Sequence, residues 1–351
     1  MARHLILISD AEKTCGVEEF ARQTALHLGD DGATHVLDAD MPNLTRALAG
    51  AGDVVLNLPV VAWKKKLIAP ILASAHARMG KREVTIILHE WADLALARRI
   101  SYLPLLPLAT RILFSAPEVR AQFEATPVSR IVTKNRAVVP IPPNFVLPQQ
   151  THATPLAESL AASRTRGQFV LAQFGSIYPK KDPMVLLEVA AELLRRQVDL
   201  RVVFIGSFVK DAGSVEADFW AKVTELGLFG RVDVSGYVAS AEDLYGVFAE
   251  VNAFLYPLSE GLTSRRASVL AAALSGRPVV VSAPALPESL AHHRLFRSLL
   301  AEGTIQLVPR QASAAVLADA VLATRRVNSQ PIAATEEIDA VWGDLIGVLG
   351  A

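Results

Sequence analysis

The sequence predicts an α/β protein made of two doubly wound domains that face each other across a cleft. Three observations predict it. Short apolar runs alternate with longer stretches of helical periodicity along the chain. The strand-like runs lack polar alternation, the pattern of strands buried on both faces of a parallel sheet. The rhythm breaks once, at the proline-rich stretch "AVVPIPPNFVLPQQTHATP" (137–155), and then restarts. At 351 residues the chain also exceeds one ordinary core, so two domains are expected.

The elements follow in order. "HLILIS" (4–9) is the first strand, and a helix runs through "GVEEFARQTALHLG" (16–29). "THVLDA" (34–39) and "DVVLNLP" (53–59) are strands, and "WKKKLIAPILASAHARM" (63–79) is a helix. "EVTIILHE" (83–90) and "TRILFSA" (110–116) complete the first half. In the second half "QFVLAQFG" (168–175), "LRVVFIG" (200–206), "RVDVSGYV" (231–238), "NAFLYPL" (252–258) and "RPVVVSA" (277–283) read as strands. Helices fall at 183–197, 215–227 and 241–251. The end of the chain, 331–351, is an amphipathic helix with Ile338, Val341, Trp342, Leu345 and Ile346 on one side.

Composition excludes several classes. Lys and Arg number 35 and so do Asp and Glu, so the chain lacks the basic excess of a general nucleic-acid binder. Cys15 is the single cysteine, which forms no intrachain disulfide and suits a reducing cytoplasm. The N-terminus has one short apolar run followed by charges, which reads as a strand and not a signal peptide. No stretch approaches the roughly 20 apolar residues of a spanning helix.

The chemistry concentrates in "SEGLTSRRASVLAAALSGRPVV" (259–280), where a strand end meets a helix start. Ser264 is a candidate N-cap and Gly276 a candidate residue just past the helix end. Free amides and the helix dipole favour an anion there, and Arg265 and Arg266 add fixed charge that can grip phosphate oxygens. In isolation the same stretch also reads as an ordinary strand–helix turn with solvated arginines. A second element, "FGSIYPKKDP" (174–183), supplies glycine for close backbone approach and the lysines Lys180 and Lys181 at another strand end. Together the two loops read as a phosphate pocket.

These motifs resemble the donor domain of retaining glycosyltransferases of the GT-B fold, in family 4. The resemblance rests on "FGSIYPKKDP", "VVFIGSF", "RVDVSGYVASAEDLYGVFAEVNAFLYPLSEG" and "AALSGRPVV", in order and spacing over most of 168–285. More loosely, "CGVEEFARQTA" is similar to the family's N-terminal glycine loop, "VTIILHEW" to its strand ending in histidine and "VVPIPPNF" to its hinge strand. Two departures stand out. The family arginine after the first glycine is Ser176, and the second glutamate of the usual pair falls on Ser268 or Ala271, depending on the end from which the segment is aligned.

The resemblance implies two Rossmann-like domains, an acceptor-binding one over 1–150 and a donor-binding one over 151–330. It also implies a C-terminal helix, 331–351, crossing back to the first, with the boundary near 325–332. It implies transfer of a sugar, hexosyltransferase-type, from a nucleoside-diphosphate sugar with retention of configuration. Glu260 would lie beside the transferred sugar and His89 on the acceptor side, the two candidate catalytic residues. Lys181 would bind the donor diphosphate, with Arg265 or Arg266 replacing the lost arginine. Leu262, Thr263 and Ser264 would offer backbone amides to phosphate or sugar, Gly16 would let its loop approach the phosphate, and Ser176 would line the same site. Tyr237 and Val238 would meet the base through their backbone. No His/Cys cluster has metal spacing, so no metal or other cofactor is expected, and cationic side chains would stabilise the leaving diphosphate. Cys15 has no base partner that would make it a nucleophile.

The acceptor would be a glycan or a lipid-linked molecule in surface polysaccharide or glycoconjugate assembly. Two basic-apolar stretches, 63–82 and 97–111, read either as peripheral contacts with the inner face of a membrane or as helices packed on their own sheet. Two other readings stay open: a catalytically degenerate nucleotide-sugar-binding scaffold, and a nucleotide-sugar epimerase of the same fold.

Overall fold

A computed structural model describes residues 3–9, 15–37, 41–64, 67–143, 145, 147–209, 214–326 and 334–350. The chain forms two compact units, Met1–Asn144 with Asp339–Ala351, and Phe145–Ile338. Most of the expected boundary at 325–332 lies outside the described residues, as do Lys65, Lys66 and the end of the stretch 34–39.

The first unit is an entirely parallel sheet of β1 (His4–Ile8), β2 (Gly32–Val36), β3 (Asp53–Leu58), β4 (Glu83–Leu88), β5 (Arg111–Phe114) and β6 (Arg136–Val138). Its strand order is β2-β1-β3-β4-β5-β6. Helices α1 (Gly16–Leu28), α2 (Met41–Ala49), α3 (Ile68–Met79), α4 (Leu96–Ser101) and α5 (Pro117–Glu124) alternate with the strands. Leu56, Ile86, Phe114, Val119 and Phe123 are fully buried in its core. The runs that lack polar alternation are the central strands: β3 and β4 bury five consecutive residues each, which only a sheet covered on both faces permits.

The second unit repeats the plan with β7 (Phe169–Phe174), β8 (Leu200–Ile205), β9 (Val232–Val234), β10 (Ala253–Tyr256), β11 (Val279–Ser282) and β12 (Ile305–Val308). They are parallel, in the order β12-β11-β10-β7-β8-β9. The helices are α6 (Pro155–Thr165), α7 (Pro183–Arg195), α8 (Val215–Glu225), α9 (Ala241–Ala249), α10 (Ala267–Leu274), α11 (Arg294–Ala301) and α12 (Ala314–Ala323). The expected strand 231–238 is strand only over Val232–Val234, because Gly236 takes a φ of 74° and turns the chain out of the sheet.

The terminal helix α13 (Ala334–Gly350) belongs to the first unit from Asp339 onward. Trp342 stacks on His27, with ring centroids 3.9 Å apart, and lies 6.0 Å from Phe20. Val341 and Leu345 are fully buried beside it. Arg111 and Arg3 donate to the carbonyls of Val348 and Gly350, the unsatisfied, negative end of the helix.

Each sheet has a point where successive crossovers leave in opposite directions. In the first unit it lies between β1 and β3, and in the second between β7 and β10. The loops at the carboxyl ends of such a strand pair diverge and leave a crevice, the general ligand position in doubly wound sheets.

Candidate functional site

The two motif loops of the second unit leave the sheet on either side of that crevice. The first follows β7 and runs through Pro179–Lys181, a single turn of 3-10 helix, to α7. The second follows β10 and runs to α10. Tyr256, at the end of β10, ties the base of both: its hydroxyl donates to the Ser268 carbonyl of α10 at 3.0 Å and accepts the Phe174 amide of β7 at 3.3 Å. Burial pushes this phenol far above the usual tyrosine range, so it remains a neutral strut.

Lys181 is only 7% exposed. Its side chain folds back along the sheet edge, and Nζ donates to the Phe174 carbonyl at 3.3 Å. Nζ also stands 5.9 Å from the centre of the Tyr178 ring. Gln173 fixes the Lys181 backbone by donating to its carbonyl at 3.1 Å. Burial, and then the charge of Arg266, lower the Lys181 ammonium to about 8. Gly175 makes room for it. Its φ of 107° belongs to glycine, and a Cβ there would collide with Lys181 Nζ.

Arg266 approaches from the other loop. One guanidinium nitrogen lies 3.3 Å from the Tyr178 hydroxyl, and another lies 3.9 Å from Glu260. Glu260 is 53% exposed and also pairs with Lys180 at 3.4 Å. The structure therefore sets Lys180 and Arg266 on either side of the solvent-facing Glu260, with Lys181 buried beside Arg266. Gly261, with a φ of 82°, packs so closely on the Ala283 carbonyl that a side chain has no space. This fixes the turn on which Glu260 stands. Leu262 is fully buried, and its amide is already committed to the Ser282 carbonyl at 3.0 Å. It is therefore a packing residue, and the expectation that its amide meets phosphate or sugar is corrected.

The helix start is also corrected. Ser264 does not cap α10. Residues 263–267 form an irregular turn, with the Arg266 amide bonded to the Thr263 carbonyl and the Ala267 amide to that of Arg265. Arg266 is the N-cap residue, with φ −83° and ψ 72°, while Ser264 is buried one turn earlier. Gly276 does follow the helix end, at a φ of 74°. Thr263 and Arg265 are partly buried in the turn, and it is Arg266 whose charge bears on Lys181. Ser176 is exposed beside Gly175. Both positions open to the second glutamate lie on α10: Ala271 is buried, and Ser268 packs near Gly175.

Tyr237 projects into solvent at 83% exposure, with Val238 partly covered beside it. Just before them, a cavity of about 540 Å³ opens at the carboxyl ends of β8 and β9. Ser207, Phe208, Glu216, Trp220, Ser235 and Gly236 line it.

In the first unit His89 follows β4. It is 7% exposed, with Nε2 bonded to Asn57 Oδ1 at 2.9 Å and Phe20 packed edge-on at 5.1 Å. Gly16 begins α1, and nothing lies within 4 Å of a Cβ built on it. Its expected role in close approach therefore finds no steric reason within this unit. Cys15 precedes it as the N-cap residue, partly buried.

Three residues that the sequence reading passed over hold these loops. Asp182, at a left-handed φ of 49°, accepts the Ser259 amide at 2.8 Å and so links the lysine loop to the glutamate loop. Asn57 orients His89. Glu18 is buried and accepts both the amide and the hydroxyl of Ser9, at 2.7 and 2.5 Å. An Asp-Pro step before a helix was visible as a capping signal, but nothing local showed the contact of Asp182 with Ser259. Among the described residues no group of three or more His, Cys, Asp or Glu side chains could hold a metal ion.

Residues 168–324 match the family model for Glycosyl transferases group 1. No curated protein matches the sequence significantly. Among solved structures, Anabaena Alr3699/HepE in complex with UDP superposes with a TM-score of 0.63 at 13% identity, covering 99% of this chain and 94% of that one. Sucrose-phosphate synthase from Thermosynechococcus elongatus superposes with a TM-score of 0.64 at 16% identity, covering 99% and 97%. WaaG, a glycosyltransferase involved in lipopolysaccharide biosynthesis, gives 0.54 at 15% identity, covering 97% and 96%. The fold is GT-B, with two Rossmann-like domains. The match over residues 168–324 and the GT-B neighbours support a glycosyltransferase.

Proposed function

We propose that the chain is a glycosyltransferase that takes its sugar from a nucleoside-diphosphate sugar, and that Lys181 and Arg266 hold the diphosphate. The observation that carries the reading is the buried Lys181 ammonium beside a second cation, Arg266, at the switch point of the sheet. Lys180, Lys181 and Arg266 carry more positive charge than the half-exposed Glu260 offsets, so a further anion here is favoured. A diphosphate is such an anion, and it is the group on which charge builds when the bond from the anomeric carbon to oxygen breaks. Preorganised cations at that point lower the barrier without a metal ion. HepE, solved with UDP and also with UDP-glucose, supports the substrate class.

Glu260 would accept hydroxyls of the transferred sugar. The cavity of about 540 Å³ bordered by Ser235 and Gly236 would receive the nucleoside beside the backbone of Tyr237 and Val238. Residues 151–330 would be the donor domain, 1–150 the acceptor domain, and His89 would face the acceptor. The motif pattern supports a family 4-like, retaining enzyme that lacks the second glutamate.

The test is thermal denaturation with UDP, GDP and ADP and their sugars. At one hundred times its dissociation constant a ligand adds about 2.7 kcal/mol of stability, several degrees in melting temperature. One nucleoside diphosphate should raise the melting temperature of the native chain and leave that of Lys181→Ala unmoved. Indifference of the native chain to all three sinks the reading.

The acceptor reading is a glycan or lipid-linked molecule met at a membrane surface. The first unit exposes Val61, Ile68, Leu72, Leu96 and Ile100, with Arg98 bridging α4 to the Val60 carbonyl at 2.9 Å. Apolar side chains with nearby arginines suit an anionic leaflet. No described helix is long and apolar enough to cross a membrane. The chain should co-sediment with phosphatidylglycerol vesicles at low salt, and Leu96→Glu with Ile100→Glu should release it. Equal sedimentation of both proteins rejects the contact.

A further inference from the structure

The second unit has another cavity, of about 530 Å³, at the opposite edge of its sheet. Gln168 and Phe169 at the start of β7, Asn252 before β10, and Arg277 and Pro278 before β11 line it, with Arg164, Thr324 and Arg325. These residues lie at the amino ends of strands whose carboxyl ends carry Lys181 and Glu260. Sugar transfer at the carboxyl edge leaves this cavity without a role.

Its chemistry is that of an oxyanion receptor. Three guanidinium groups line it. Arg164 pairs with Glu250 at 2.9 Å and donates to the Ala249 carbonyl at 3.2 Å. Arg277 donates to the same carbonyl. Arg325 lies over the Phe169 ring, 4.9 Å from its centre. Three of the lining residues are therefore cationic and none is acidic, and Glu250 pairs with Arg164 behind them. Capping the carboxyl end of α9 occupies one donor of Arg164 and one of Arg277 at the Ala249 carbonyl. It does not explain Arg325, which has no part in that cap. Burial, and then the neighbouring Arg164, lower the Arg277 pKa, and Glu250 offsets part of this. Arginine forks match a tetrahedral oxyanion in charge and geometry.

We propose that this cavity is a second anion site, binding a phosphate dianion through Arg164, Arg277 and Arg325. The dianion balances the charge left over after Glu250 is paired. The cavity is large enough for a small phosphomonoester as well as for inorganic phosphate, and both present the same group. The site is independent of the donor pocket, so the two readings stand or fall on different variants.

The experiment is calorimetric titration of the full chain with inorganic phosphate. Four proteins are compared: native, Arg277→Gln, Arg325→Gln and Lys181→Met. Loss of one charge-assisted fork should weaken phosphate binding about tenfold or more in each arginine variant. Lys181→Met should retain the native affinity for this site. Arg325 is exposed, so Arg325→Gln keeps the test decisive if Arg277→Gln fails to fold. Loss confined to Lys181→Met, or no phosphate binding by the native chain, overturns the proposal. Glycerol 3-phosphate in place of phosphate distinguishes the sources: tighter binding names a phosphomonoester, equal binding inorganic phosphate, and either supports the site.

Discussion

Lys181→Met should make the protein more stable near neutral pH and nearly unable to bind a nucleoside diphosphate. Both effects come from the position of one ammonium group. An exposed lysine holds its proton to about 10.4, whereas Lys181 in the folded chain releases it near 8. The unfolded chain therefore binds more protons between these values, and the stability of the native protein should rise as pH climbs from about 8 to about 10.5. Below pH 8 the folded state carries the full cost of a buried cation beside Arg266, at most about 3 kcal/mol at about 1.36 kcal/mol per pKa unit. Methionine keeps most of the apolar stem and removes the charge, so Lys181→Met should gain about 1–3 kcal/mol at pH 7 and lose the alkaline rise. The same change removes a direct cation from the diphosphate and should weaken nucleoside diphosphate binding by roughly one hundredfold, about 3 kcal/mol. Chemical denaturation at pH 7 and pH 10, with ligand titration, measures both. A variant less stable than the native protein at pH 7 contradicts the account of Lys181 as a strained, waiting cation. A stability–function opposition of this kind is expected where a site is held ready for a charge that arrives with the substrate.

The central strands were legible because burial on both faces leaves a direct mark on sequence. β3, β4, β7 and β8 appear as runs of Val, Ile and Leu with few polar interruptions, and the structure gives them the same places. The edge strand β12 escaped for the converse reason. Gln306 and Leu307 are not buried, so "IQLV" carries a weak signal. The helices α2, α5, α6, α11 and α12 also escaped, short elements between stronger ones. The two site loops were legible as glycine, lysine and arginine placed after strands. What was not legible is how they meet. Asp182 reaches Ser259 across 77 positions of sequence, and Arg266 reaches Tyr178 across 88. Such contacts depend on β7 and β10 being neighbours in the sheet, which strand order decides and local pattern does not. The misplaced N-cap has the same origin. Ser264 has the residue type of a cap, but the chain must first cross from β10 over the site, and it spends residues 263–266 on that turn.

Glu260→Gln should abolish sugar transfer while leaving nucleoside diphosphate binding intact. Glu260 stands between Lys180 at 3.4 Å and Arg266 at 3.9 Å, half exposed, on a turn fixed from below by Gly261. The loop does not depend on its carboxylate. The Ser259 amide is held by Asp182, and the Leu262 amide by Ser282. The substitution should therefore change charge and hydrogen bonding with little change in shape. Two opposing consequences follow. Removing the carboxylate frees Lys180 and Arg266 from a competing anion, so the affinity for a diphosphate should stay level or rise slightly. The sugar, however, would lose an acceptor aimed at its hydroxyls beside an anomeric carbon that becomes positive as the bond to the diphosphate breaks. Losing a charged group placed at the developing charge costs on the order of 100–1,000-fold in kcat. Transfer rate and nucleoside diphosphate affinity measured on one preparation separate the two consequences. A kcat near the native value would move the sugar away from Glu260. A parallel loss of diphosphate affinity would recast Glu260 as a residue that positions Lys180 and Arg266, because a carboxylate that only repels the diphosphate cannot weaken its binding on leaving.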